Sequence, residues 1–295
     1  MTKDFKVKNS GYQNYSQLSP EEWKEKKQAE KDAVYQMIDD TVKEIIADPE
    51  KFKGFLDTQS RMNRYSAVNA LLIYKQNPQA TQLKDFGEWA EEKVSIKKGE
   101  KSFSILEPVE YTKRDGSTGV SYNVKKVFDI SQTNSNKISS PIINRDLKGI
   151  IAAMIDTSPV EVAMTEEIPY PNTGAYYNNE KQILYVKRDI GDSVTLFQCV
   201  AQELAHIQLS MHSDKYSRNE MGFPATCIAY MICLKHGVDT KVFNINYIPE
   251  NWKQMNHKYI RTELSKMRSA MSEIHSCVSE QLYHNEHKRT KYQER

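Results

Sequence analysis

Long apolar runs are missing from this chain of 295 residues. None approaches the ~18 residues of a membrane-spanning helix, so no membrane association is expected. The first thirty residues hold Lys3, Asp4, Lys6, Lys8, Glu21 and Glu22 with no apolar segment between them, so no secretory signal is expected either. Cysteine is scarce. Cys199, Cys227, Cys233 and Cys277 form no CxxC pair and fall in apolar or helical-looking runs, which reads as reduced core thiols in a cytoplasmic protein. An excess of one charge is also lacking: 41 Lys and Arg against 39 Asp and Glu leave a formal net charge of +2. That excludes a strongly basic protein and confines any nucleic-acid site to a local patch. Internal repeats are absent too. What remains, 39% apolar residues over this length, is enough for two domains of ordinary size.

Local signals divide the chain. Ser19-Pro20-Glu21-Glu22 offers a helix cap, a first-turn proline and a reciprocal carboxylate. Apolar residues then recur at Val34, Ile38, Val42, Ile45 and Ile46 until Asp48-Pro49, predicting one long amphipathic helix. Further helices are expected over SAVNALLIYKQ and around Trp89, with Trp89 in the core. From Ser102, two β-rich runs flank Asp115-Gly116-Ser117 and predict a hairpin. The polar stretch QTNSNKISSP, closed by Pro141, marks a boundary between a domain over residues 1–135 and another over 141–295. Beyond it come two strand-like runs around Asn178-Asn179. A short buried helix follows over PATCIAYMICLKHG, with Pro224 in its first turn and Gly237 at its C-terminal cap. A final helix carries the stripe Ile260, Leu264, Met267, Met271, Ile274, Val278 and Leu282, before a polar, frayed end. The expected fold class is α+β.

The run Gln202-Glu203-Leu204-Ala205-His206 is the sharpest chemical signal. With histidine at 202 it would be the H-E-x-x-H arrangement, in which two imidazoles one helical turn apart hold zinc and the glutamate takes a proton from metal-bound water. Glutamine offers a neutral amide oxygen, a poor zinc donor. The following helix should supply a third ligand, yet PATCIAYMIC has no carboxylate or histidine in its first two turns, and Glu220 is the nearest acid. The bland reading of Glu203 and His206 is a hydrogen-bonded polar pair at a helix edge.

Three stretches in order, NRYSAVNALLIYKQNPQATQLKDFGEW, KKGEKSFSILEP and VFDISQT, followed by QELAHIQLS, IAYMICLKHGVDT and NYIPENW, give the chain a resemblance to the ArdC-type antirestriction proteins of conjugative and integrative elements, including LtrC-like members. The resemblance runs from about Ser60 to about Trp252. It implies an N-terminal domain that binds single-stranded DNA and a C-terminal zincin-like metallopeptidase domain. The departures fall on the metal chemistry, where HELAH appears as QELAH and a Glu-rich opening of the next helix appears as FPATC. That implies a pseudoenzyme with no cofactor, in which Glu203 is a vestigial general base and Gln202 and His206 are the remains of a metal site. The mobile-element role it implies is protection of incoming DNA from host restriction.

Composition adds partial support for a DNA site. Lys93, Lys97, Lys98, Lys101, Lys113, Arg114, Lys125 and Lys126 outnumber the acids between Lys93 and Lys126, and a hairpin bringing them together would make a basic edge. Arg61, Arg64 and Tyr65 are further candidates, as are Tyr74, Tyr111 and Tyr122 for stacking on bases, although Tyr74 in ALLIY suits the core. Two other functions stay open: a zinc peptidase using Gln202, His206 and Glu220, and a module that binds a host polypeptide in the groove without cutting it.

Overall fold

The structure, a computed structural model, describes residues 18–135, 146–169, 173–188, 191–213 and 215–293, with side chains as far as 287. Helix α1 (Pro20–Ala47) starts as expected. Ser19 accepts from the Glu22 amide while Glu22 accepts from the Ser19 amide, and Val34, Ile38, Val42, Ile45 and Ile46 are buried. Asp48-Pro49 proves to be a junction as well as a stop. The Asp48 side chain caps a second helix, α2 (Pro49–Arg61), by accepting from the amides of Glu50 and Lys51. Its apolar set, Phe52, Phe55 and Leu56, is too short to announce a separate helix by periodicity, and the cap is what defines it. Helices α3 (Ala67–Gln76) and α4 (Phe86–Glu91) follow, and Trp89 of α4 is buried with Nε1 donating to the Phe128 carbonyl at 3.0 Å.

Strands β1 (Leu83–Lys84), β2 (Phe103–Thr112) and β3 (Thr118–Asp129) form an antiparallel sheet in the order β1-β3-β2. Helix α5 (Leu147–Asp156) and strands β4 (Glu161–Thr165), β5 (Ala175–Asn178) and β6 (Ile183–Lys187) come next. The second sheet has the order β4-β6-β5, with β4 parallel and β5 antiparallel to β6. Helices α6 (Ser193–Met211), α7 (Arg218–His236), α8 (Glu250–Lys253) and α9 (His257–Gln293) complete an α+β chain in which no helix among the described residues is long and apolar enough to cross a membrane.

The core runs through both halves. Phe52 of α2 stacks at 5.5 Å on Phe223 of α7, which meets Trp252 at 5.1 Å, and residues of α1, α2 and α3 share one buried cluster with α5, α6, α7 and α9. Polar ties cross the same seam. Tyr230 Oη donates to Asp57 at 2.5 Å, Ser60 Oγ to the Met231 carbonyl at 3.0 Å, and Arg268 to the carbonyls of Asn63 and Tyr65. The linker expected between residues 135 and 141 lies almost wholly outside the described residues.

Three local expectations need correction. Helix α7 begins at Arg218, so Pro224 stands inside it and Glu220 in its first turn. A proline this near the start removes one backbone hydrogen bond only, the one its missing N–H would have made to residue 220. Gly237 does end α7 in the left-handed conformation, with φ of 68°. Cys277 is exposed and Cys199 half-buried, leaving Cys227 and Cys233 as the core thiols. Finally, α9 continues helical to Gln293 where fraying was expected; Glu, Lys, Arg and Gln are residues that a helix accommodates readily.

Candidate functional site

Helix α6 is set by Asp192, whose carboxylate accepts from the amides of Val194 and Thr195, and it packs lengthwise beside the open edge of β5. Register puts the Tyr176 pairing on the β6 side, so the backbone N–H and C=O of Tyr177 point outward, toward α6. Glu203, 5% exposed, meets them. Its Oε2 accepts from the Tyr177 amide at 2.8 Å. Both carboxylate oxygens also accept from Arg218 at the start of α7, Oε1 from Nη2 at 2.5 Å and Oε2 from Nη1 at 2.9 Å. The guanidinium lies 5.0 Å from the centre of the Tyr176 ring. Burial works against the charge on Arg218, but the hydrogen bonds and charge of Glu203 outweigh it and raise the arginine further above its ordinary value.

His206 is also buried. Its Nδ1 lies 3.0 Å from the Tyr216 hydroxyl, and the two rings meet edge to face. Burial, helped by the nearby Arg218 charge, lowers the histidine to about 3, so the ring is neutral at pH 7. Burial likewise pushes Tyr216 up to about 12. These groups fit a metal poorly. Glu203 has its oxygens committed to a cation, Gln202 presents an amide, the imidazole Nδ1 faces a phenol, and Glu220 is exposed on α7. Among the described residues no group of three His, Cys, Asp or Glu side chains is placed to hold a metal ion. Arg218 is neither an acid nor an imidazole, so metal-ligand spacing in the sequence does not point to it. The signal lies in the burial expected of Glu203: a carboxylate inside a helix interface needs a counter-charge, and KYSRNE is the next cationic segment.

The proposed DNA residues do not converge. Lys97, Lys98 and Lys101 are exposed on the loop before β2, where Gly99 adopts φ of 91° and Lys97 Nζ donates to the Ser131 carbonyl. Lys113 and Arg114 are exposed at the hairpin tip. The ten-residue strand β2 separates the two groups by roughly 30 Å. Lys125 and Lys126 point to opposite faces of β3 and are committed: Lys125 to Asp85 at 3.1 Å and Glu107 at 3.3 Å, Lys126 to Glu30 at 2.7 Å. The hydrogen bonds that Lys125 donates to Asp85 and Glu107 hold it above the usual lysine range despite burial. Arg61 donates to the Pro78 carbonyl, Arg64 is exposed, and Tyr65 is half-buried against the small cluster under the first sheet, with its hydroxyl toward the Leu83 carbonyl. Tyr74 packs against the core.

The hairpin itself has two unlike halves. At its base, Asn69 and Gln76, two turns apart on α3, each form a pair of hydrogen bonds of 2.8–2.9 Å with the backbone of Leu106 and Ser104, covering the edge of β2. Beyond Leu106, β2 is exposed throughout. Tyr111 (49% exposed) and Val109 stand on one face, Tyr122 (42%) and Val120 on the other. The Tyr111 ring crosses its cross-strand partner Gly119, where a Cβ would fall 2.6 Å from the ring.

Residues 15–140 match the family model described as the N-terminal domain of anti-restriction factor ArdC. Two solved structures of the antirestriction ArdC protein from the R388 plasmid are similar to the chain. The metal-free one is 16% identical, covers 75% of this chain and 86% of its own, and has a TM-score of 0.48. The Mn(II)-bound one is 14% identical, covers 74% and 85%, and has a TM-score of 0.50. No curated protein matches. The likeness to the manganese-bound structure is one of fold, whereas the family model reads the sequence of the first half directly. Residues 15–140 are thus similar in sequence to the N-terminal domain of ArdC, and the likeness of the rest of the chain is one of fold.

Proposed function

We propose that this protein binds single-stranded DNA through the free half of the β2–β3 hairpin and the lysine loop before it, in an antirestriction role for a mobile element, and that its second half is a zincin-like scaffold without peptidase activity. The observation that carries the reading is the hairpin. Its base is tied to α3 while its far half presents Tyr111 and Tyr122 on opposite faces beside Lys113 and Arg114. Aromatic rings that accept base faces without sequence preference, next to phosphate-binding cations, are what a single-strand site requires. The matching family description and the relative's antirestriction title support the role. Absence of hydrolysis is supported by the commitment of Glu203 to Arg218, which leaves no carboxylate oxygen poised to take a proton from water. Peptide capture beside Glu203 lacks comparable support, because α6 side chains already fill the outward edge of β5.

The test is fluorescence anisotropy with a labelled single strand, titrated across salt. Binding whose affinity falls linearly with log salt, and which weakens in Tyr111→Ala and in Lys113→Ala with Arg114→Ala, fulfils the proposal. Salt-insensitive binding, or binding unchanged in both variants, defeats it.

A further inference from the structure

We infer that the Arg218 guanidinium has taken over the place of a divalent cation in this domain, and that Glu203 has become a structural anchor which seals the edge of the second sheet. This stands apart from DNA binding by the hairpin. Glu203 is held from three directions: by its own helix, by the Tyr177 amide of β5, and by the two-pronged contact from α7. Arg218 also approaches the Tyr177 carbonyl at 3.5 Å, so one ion pair engages both outward backbone groups of that edge residue. One turn earlier on α6, Cys199 accepts from the neighbouring Gly174 amide at 3.2 Å. Cys199 and Glu203, at i and i+4, therefore line the approach to β5, and Glu203 fills the position at which an added polypeptide strand would pair with Tyr177.

A metal ion held by imidazoles at positions 202 and 206 would set positive charge beside the glutamate and link helices. Arg218 does both with atoms of the chain itself: a fixed positive charge, a planar fork that matches the carboxylate, and a backbone anchored at the start of α7. Glu203 therefore has a partner to hold at a site where position 202 carries an amide and not an imidazole. Restoring the imidazole at position 202 would not restore a metal site, because a cation would have to displace or sit beside the guanidinium already bound to Glu203.

The experiment uses the full chain, with thermal melting and zinc competition against a chromophoric chelator as its two readouts. The unaltered protein should melt at the same temperature with EDTA or with one equivalent of zinc. Arg218→Met should lower the melting temperature by about 5 °C or more, Arg218→Lys by less, and Glu203→Leu with Arg218→Met should recover at least half of the loss, because the joint change removes the unpaired charge. Gln202→His alone should take no zinc from the chelator. The inference is overturned by any of four results: Arg218→Met melting within about 1 °C of the unaltered protein, additive losses in the joint variant, a zinc-dependent rise in the melting temperature of the unaltered protein, or sub-micromolar zinc binding by Gln202→His with Arg218 in place.

Discussion

Arg218 and Arg114 carry the same guanidinium into opposite surroundings. At the start of α7, Arg218 is one-third exposed, bonded to both oxygens of a buried carboxylate, and rests over the Tyr176 ring. At the tip of the hairpin, Arg114 is exposed beside Lys113, with Tyr111 and Tyr122 a few residues away along the strands. The first arrangement uses its charge inside the molecule; the second leaves it available to a phosphate. A motif that names chemistry, QELAH, thus sits where charge is already matched, while a stretch with no motif at all presents exposed cations and rings. Charge that is satisfied internally shows in stability and is little affected by salt, whereas charge left outside shows in ligand affinity and is strongly affected by it.

The comparison is broken most directly at Glu203. Glu203→Ala strands Arg218 in a half-buried site and leaves the Tyr177 amide without its acceptor, so we expect a loss of about 2–3 kcal/mol in urea unfolding, after allowing for the partial exposure of the arginine. Single-strand affinity should be unchanged below the unfolding transition; a parallel fall in both would join the two regions that the comparison separates. Next in size, Tyr111→Ala should weaken single-strand binding by about tenfold, the low end for stacking on a base, and leave the melting temperature within about 1 °C. A stability loss there, with affinity intact, would make the ring a packing element over Gly119.

Charge removal sharpens the distinction among lysines. Lys97→Ala with Lys98→Ala, and separately Lys113→Ala with Arg114→Ala, should each reduce the slope of log affinity against log salt by about one for every phosphate no longer neutralised. Lys125→Ala should leave the slope unchanged, because its charge is already held by Asp85 and Glu107. Equal slopes for all three would return Lys125 to the binding surface.

The smallest effect contrasts Arg218 with another half-buried cation. Lys235 donates to the Ser60 carbonyl at 3.1 Å, and burial lowers it to about 8. Its folded value lies below its unfolded one, so the unfolded chain holds more protons between about pH 8 and 10.5. The stability contribution is therefore full above the unfolded value and lost as pH falls toward the folded one. Urea unfolding of the protein and of Lys235→Met should differ by an amount that changes over that window; a constant difference would mean that Lys235 is not desolvated in the folded state. Arg218 shows the reverse shift because Glu203 is there to hold its charge.

Sequence alone determined the elements whose signals are local. The Ser19–Glu22 cap, the stripe of α9, the left-handed Gly237 and the turn at Asp115-Gly116-Ser117 each depend on residues within a turn or two of one another, and the family match over residues 15–140 was legible in three short runs. Glu203 and His206 stand out in the sequence as well, along with the mismatch at Gln202. Tertiary structure decided what those residues meet. The sequence offers KYSRNE as the next source of counter-charge, but that the fork of Arg218 closes on Glu203, fifteen residues away, depends on α7 packing across α6. The count of lysines between 93 and 126 does not reveal that a ten-residue strand holds the two exposed groups at opposite ends, or that Lys125 and Lys126 are committed to carboxylates on other elements. The physical reason is common to all three. Caps and periodicity are set by bonds along the chain, while the state of a charge is set by what approaches it through space, and the packing of distant elements fixes that approach.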